Sequence, residues 1–363
     1  RLKQSISMAK SSTSAIKYFS KFKLILTKSL CKIKKNKEMS MHKSLVELAL
    51  KTLSCTQKEL AAKLNVSPTQ ITKWKQNEYM SHDMEEKLRE LTHIDDMIPE
   101  FVLYAGNLKN AEKWKELLCY LAEVADENTE TGYITLPLVE DENLLCWNIF
   151  NTLTEMGVCI PKNFPEELEF DYEEIDDDTF DLIMENKHAN IIYDIFKSLT
   201  NIYGFYTAYI QDIILNDDMD LYETSASEIE PCLMNLAACK IEVDKNIATK
   251  FDSFKYSTLR NYKDWLTIVK YKSMQAGIPL RAELLDLVYK DSNELGEEAE
   301  SEFLEFNSMR LHPDIYMNEL LTGMRAIHQI LPFIMKKMGI YEEFKLDESD
   351  LYIGKNKFRH SAT

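Results

Sequence analysis

Glycine and proline are scarce, nine of each in 363 residues. So few glycines leave little material for loops that wrap a ligand closely, and no Gly-rich phosphate loop is present. A Gly-x-Ser-x-Gly elbow and a His-Glu-x-x-His helix are missing too, which removes the common signatures of serine hydrolases and zinc proteases. No apolar run approaches the ~18–20 residues that a membrane-crossing helix needs. The seven cysteines, at 31, 55, 119, 146, 159, 232 and 239, are odd in number and form no Cys-x-x-Cys pair. No histidines lie near them at zinc spacing. They read as reduced core thiols of a cytoplasmic protein. No metal, cofactor or catalytic constellation is therefore expected.

Positive charge is also in short supply, and it is unevenly spread. The chain carries 43 basic and 60 acidic side chains, a formal net charge of −17. Residues 1–40 hold 11 basic and 1 acidic, residues 41–94 hold 8 and 7, and residues 95–363 hold 24 and 52. A nearly neutral segment is thus joined to a body of net −28. Phosphate repels such a body, so the chain does not read as a nucleic-acid coat.

What stands out is Thr56 to Glu78. Thr56 and Glu59 form a Thr-x-x-Glu capping box, so a helix should begin at Gln57. Leu60, Ala61 and Leu64 give it one narrow apolar face. Asn65 sits where the chain must turn, and Asn tolerates left-handed backbone angles. Val66 is placed to plug the turn. Ser67, Pro68 and Gln70 then start a second helix, with an N-cap, a proline at the first position and a Ser-x-x-Gln box. Ile71 and Trp74 face inward on it, which leaves Pro68, Thr69, Gln70, Thr72 and Lys73 outward. Ser81 caps a further helix, and Leu45, Leu48 and Ala49 define one upstream.

These residues resemble the DNA-binding domain of the phage-repressor and Cro-like (XRE) helix-turn-helix family over residues 43–94. Thr56-Gln57, Leu60-Ala61, Val66-Ser67, Ile71 and Trp74 carry the resemblance. Asn65 replaces the usual turn glycine, Asn77 stands where a glycine often ends the recognition helix, and Lys75 stands where the family often has Glu. The resemblance implies that Gln57 bonds a phosphate and fixes register. It places Pro68, Thr69 and Lys73 at base edges, with Ser67, Gln70, Thr72 and Lys75 nearby. The chemistry is compatible: Lys donates to guanine, Gln pairs with adenine and a Thr methyl touches thymine. Lys73 and Lys75 equally suit phosphate contacts.

The rest of the chain reads as helical. Residues 1–40 are Lys- and Ser-rich, and three readings stay open for them. They are an extension upstream of a start at Met39 or Met41, a basic arm for DNA, or an amphipathic surface segment built on Phe19, Phe22, Leu26, Leu30 and Ile33. Pro99 and Gly106 mark 95–108 as a connection. Helices are expected near 109–125 and 141–156, with a short extended piece at Tyr133–Pro137 between them. The acids Asp171–Asp181 read as a solvated loop, since neighbouring carboxylates diverge and the calcium-loop spacing is absent. Long helices follow over 188–215, 226–240, 243–276, 280–290, 295–303 and 313–338, with Pro332 expected to kink or divide the last. Lysines and aromatics alternate over 240–272, which reads as a two-sided helix or a second nucleic-acid surface. His312 and His328 read as structural histidines.

The expected architecture is mainly α: a basic tail (1–40), a helix-turn-helix domain (41–94), a helical linker region with an acidic loop (95–182) and a larger acidic all-helical domain (183–363). The expected function is sequence-specific binding of double-stranded DNA as a homodimeric, repressor-like regulator. A partner protein is a further role open to the acidic domain. Two alternatives differ in class. One is a DNA-binding adaptor subunit of a mobile-element or phage-defence complex. The other is an effector whose DNA-binding domain only regulates its own expression.

Overall fold

The computed structural model describes residues 41–306 and 313–341. Among these residues there are helices, turns and no strand. Readings that fall on the basic tail, on Cys31 and on His312 lie outside them.

The N-terminal part has four helices: α1 (41–52), α2 (Gln57–Leu64), α3 (Pro68–Lys75) and α4 (His82–Thr92). Leu45, Leu48, Leu60, Leu64, Ile71, Trp74 and Leu88 are all buried. They belong to the same continuous core that runs through the rest of the molecule. Pro99 and Gly106 do not mark a bare connection. Pro99 opens helix α5 (Pro99–Ala105) at a position that needs no N–H donor, and Gly106 closes it at φ 94°. Its Glu100 accepts from Ser44 Oγ at 3.1 Å and from Trp147 Nε1 at 2.7 Å, tying α1 to the body.

The body is built around one helix. α6 (Leu108–Glu127), α7 (Leu136–Val139), α8 (Glu142–Met156) and α9 (Asp177–Glu185) lead to α10 (Lys187–Tyr209). Buried side chains lie all round α10, from Ile192 and Phe196 to Ser198, Tyr203 and Phe205, as expected of a helix enclosed by others. α11 (Gln211–Ile214), α12 (Leu233–Ala238), α13 (Phe251–Ala276), α14 (Asp286–Tyr289) and α15 (Ser292–Phe303) complete the enclosure, and α16 (Pro313–Met338) follows. α15 packs closely along α10: a β-carbon on Gly296 would overlap the Asn201 side chain. Local signals set several ends. Asp141 caps α8 by accepting from Leu144 N at 2.9 Å, and Gly157 stops it at φ 83°. Trp114 on α6 is fully buried edge-on against Phe150 and Phe164, at 5.4 and 5.1 Å between ring centres.

Several expectations are corrected. Tyr133–Pro137 is not extended as a strand, because its helical neighbours offer no sheet edge for the backbone to pair with. Thr135 N donates to Asp126 Oδ1 instead, and Pro137 sits in the first turn of α7. The acidic run is not all loop. Asp176 accepts from Thr179 N, and Asp177 and Asp178 fill the first turn of α9, where the helix dipole favours acids. Residues 280–290 are helical only at α14, since Glu283 turns back to accept from Leu285 N and from Lys270. Of the two effects expected of Pro332, division does not occur: α16 runs through it, and the carbonyl whose ladder donor it removes belongs to the exposed His328. That exposure also removes His328 from the structural histidines. The cysteines are not all core: Cys146 and Cys239 are buried, Cys55, Cys119 and Cys232 half-buried, and Cys159 exposed.

Candidate nucleic-acid interface

The helix pair α2–α3 is set by backbone chemistry at each end. Thr56 and Glu59 cap each other reciprocally, with Thr56 N donating to Glu59 Oε2 at 2.7 Å. These bonds hold the Glu59 carboxyl below its ordinary pKa. Asn65 ends α2 in the left-handed region (φ 54°, ψ 44°), and Val66 N donates back to Ala61 O at 2.9 Å. Two residues later Ser67 Oγ accepts from Gln70 N at 3.2 Å, and α3 begins at Pro68. The turn is therefore three residues long, and both of its ends are satisfied without outside help. Asn77 takes a second left-handed angle, φ 62°, just past α3.

Ile71 and Trp74 anchor the inner side of α3. The opposite side carries Pro68, Thr69, Thr72 and Lys73, all exposed. Their spacing of one, three and one residues puts them on one contiguous face. Ser67 is exposed at the N-cap, while Gln57, Gln70 and Lys75 are half-buried around the rim. Two side chains are partly engaged. Thr72 Oγ1 donates to Pro68 O at 3.2 Å, so its hydroxyl proton is already in use. Lys73 Nζ lies 3.5 Å from Glu78 Oε2, so its charge is partly offset where it stands.

Sequence reasoning missed two residues at this surface. Gln76 is exposed one turn beyond Thr72 and extends the same face. Tyr79 is 80% exposed just after α3, its ring edge-on to His42 at 6.5 Å. An apolar ring left open beside an outward helix face was detectable in the sequence only as a residue falling outside both helical periodicities.

The lysine–aromatic stretch at 240–272 separates when folded. Phe254 and Tyr262 are buried, and Tyr256 and Tyr271 are exposed. Lys240 is turned inward and donates to Val288 O, and burial lowers its pKa to about 8. Lys245 pairs with Asp252, Lys270 with Glu283, and Lys263 lies over the Tyr289 ring. From Phe251 onward the result is a two-sided helix, α13, while Lys240 and Lys245 lie in the turns before it. Inside the body lies a polar group that periodicity could not reveal. Glu230 is half-buried, accepts from Tyr206 OH at 3.0 Å, and is raised by desolvation to a pKa of about 7. Beside it Tyr262 OH donates to Ile229 O at 2.6 Å. Tyr222 OH is buried with no hydrogen-bond partner among the described residues. Among those residues, no group of three or more His, Cys, Asp or Glu side chains is placed to hold a metal ion, and no helix is long and apolar enough to cross a membrane.

Comparison of the chain with protein-family models, with curated proteins and with solved structures finds no match in any of the three.

Proposed function

We propose that the chain is a sequence-specific, repressor-like regulator that places α3 in the major groove of double-stranded DNA. The reading rests on the helix-turn-helix resemblance of residues 43–94 and on one observation above others. α3 is anchored by Ile71 and Trp74 and leaves Pro68, Thr69, Thr72 and Lys73 on an open, contiguous face. A recognition helix needs that division, with its N-terminal residues free to meet base edges. In this reading Gln57 and Lys75 meet phosphates, Gln70 flanks the base contacts, and Lys73 leaves Glu78 for a guanine or a phosphate. The regulator would work in the cytoplasm as a homodimer, since paired half-sites one helical turn apart need two recognition helices.

The experiment is selection of bound duplexes from a random library by the purified chain. One enriched motif is expected, and the Thr69→Ala, Lys73→Ala double variant should lose it while keeping its thermal melt. Selectivity surviving in that variant would show that α3 does not read the bases.

The Tyr206–Glu230 pair, with its buried tyrosine, favours a second reading, an acidic body that is the effector while the N-terminal helices only control its expression. A small-molecule screen by thermal shift separates the two. A ligand that stabilises the wild-type chain but not a Tyr206→Phe variant supports the effector.

A further inference from the structure

α16 carries an apolar stripe with no cover. Leu320, Met324, Ile327, Leu331, Ile334 and Met338 follow one another at alternating spacings of four and three residues. Ile327 is 61% exposed and Met338 66%, and the other four are exposed as well. Strict four–three spacing over this length is the pattern of a coiled-coil seam, where each such residue enters a hole formed by a facing helix. Leu321 and Ile330 widen the stripe on its two flanks.

The opposite side of the helix is the fastened one. Arg325 Nη1 donates to Met274 O at 2.9 Å at the end of α13, and Thr322 lies beside Gly277. Arg325 and Thr322 both fall outside the seam positions. The body thus holds α16 through two polar side chains of its back, Thr322 and Arg325, and the apolar seam faces solvent. A helix packed for its own fold would do the reverse.

We infer that this seam is the homodimer interface, and that its occupant is α16 of a second copy of this chain. A stripe of this regularity is complementary to itself, which is what a two-fold interface requires. Its size suits a small specific interface. From Leu320 to Met338 the seam runs ~28 Å at 1.5 Å per residue. Half the helix circumference over that length offers on the order of 450 Å² per copy, roughly 900 Å² for the pair, the size of the smaller specific interfaces. The inference deepens the proposed regulator by locating its pairing surface, and the pairing of two recognition helices on DNA rests on that proposal. The dimer itself does not.

Mass measured without DNA keeps the two separable. Sedimentation equilibrium of the full chain at micromolar concentration is expected to give two chain masses. Ile327→Glu with Leu331→Glu should raise the dissociation constant at least a hundredfold and leave the melt of the body unchanged. Phe333→Glu serves as the control, because Phe333 is 73% exposed but lies off the seam; it should leave the dimer intact. Both bodies are acidic, so added salt should tighten the pair by screening their repulsion. A single chain mass for the wild type would overturn the inference, and so would a dimer that survives the seam double variant. So would dissociation by Phe333→Glu to the same extent as by the seam variant. A wild-type monomer that co-sediments with neutral phospholipid vesicles would assign the stripe to a lipid surface instead.

Discussion

Asn65 shows how much one residue decides. Its left-handed angles close α2 and set the direction in which α3 leaves the turn. An L-residue without the local hydrogen bonding of Asn meets a penalty of about 1–2 kcal/mol there. Asn65→Ala is therefore expected to lower stability by about 1 kcal/mol in chemical denaturation, and Asn65→Gly to leave it within a few tenths. Glu230 makes a prediction of a different kind. Its carboxyl titrates near pH 7 in the folded chain and near 4.5 when unfolded. Between those values the unfolded chain has lost its proton and the folded chain retains it, so stability from this group falls as pH rises, by up to about 3 kcal/mol across the window. Glu230→Gln, which still accepts from Tyr206, should flatten that part of the profile and raise the melting temperature at pH 8. An unchanged profile would place the ionised carboxylate in a better-solvated environment than its burial indicates.

At the scale of elements, the caps were the most legible part of the sequence. Thr56-x-x-Glu59, Ser67-Pro68-x-Gln70 and Gly157 each end or begin a helix where local chemistry demands it, because a cap is settled within four residues. The inward face of α3 was equally readable from Ile71 and Trp74. Elements governed by distant partners were not. Tyr133–Pro137 has strand-like residues but no edge to join. Asp176 reads as a loop acid until Thr179 N is seen pointing at it. Neither the tie from Glu100 to Ser44 and Trp147 nor the meeting of Tyr206 with Glu230 leaves a mark in local sequence, since each joins residues far apart along the chain. The close packing of α10 on α15 belongs to the same class and yields a test. Helix propensity alone favours Gly296→Ala by roughly 1 kcal/mol. The added methyl would have to displace Asn201, which donates to Ser292 Oγ at 3.3 Å. Crowding of that kind costs about 1–3 kcal/mol, so a net fall in melting temperature is expected. A rise would show that the Asn201 side chain can move away without loss.

Over the whole molecule, charge and architecture divide the work. The helices at 41–94 are close to neutral, and the remainder of the chain carries −28. Bulk attraction to DNA is therefore weak, and the proposed binding depends on the shape and side chains of α3 and on presenting two copies of it. The continuous core joining α1–α4 to the body makes that presentation rigid rather than tethered. Selection of bound duplexes from a random library, read by sequencing, tests this most directly. A single motif with two-fold symmetry and half-sites about one helical turn apart is predicted, lost in the Thr69→Ala, Lys73→Ala variant and weakened in the Ile327→Glu, Leu331→Glu variant. Recovery of no enriched sequence by the dimeric wild-type chain would contradict it.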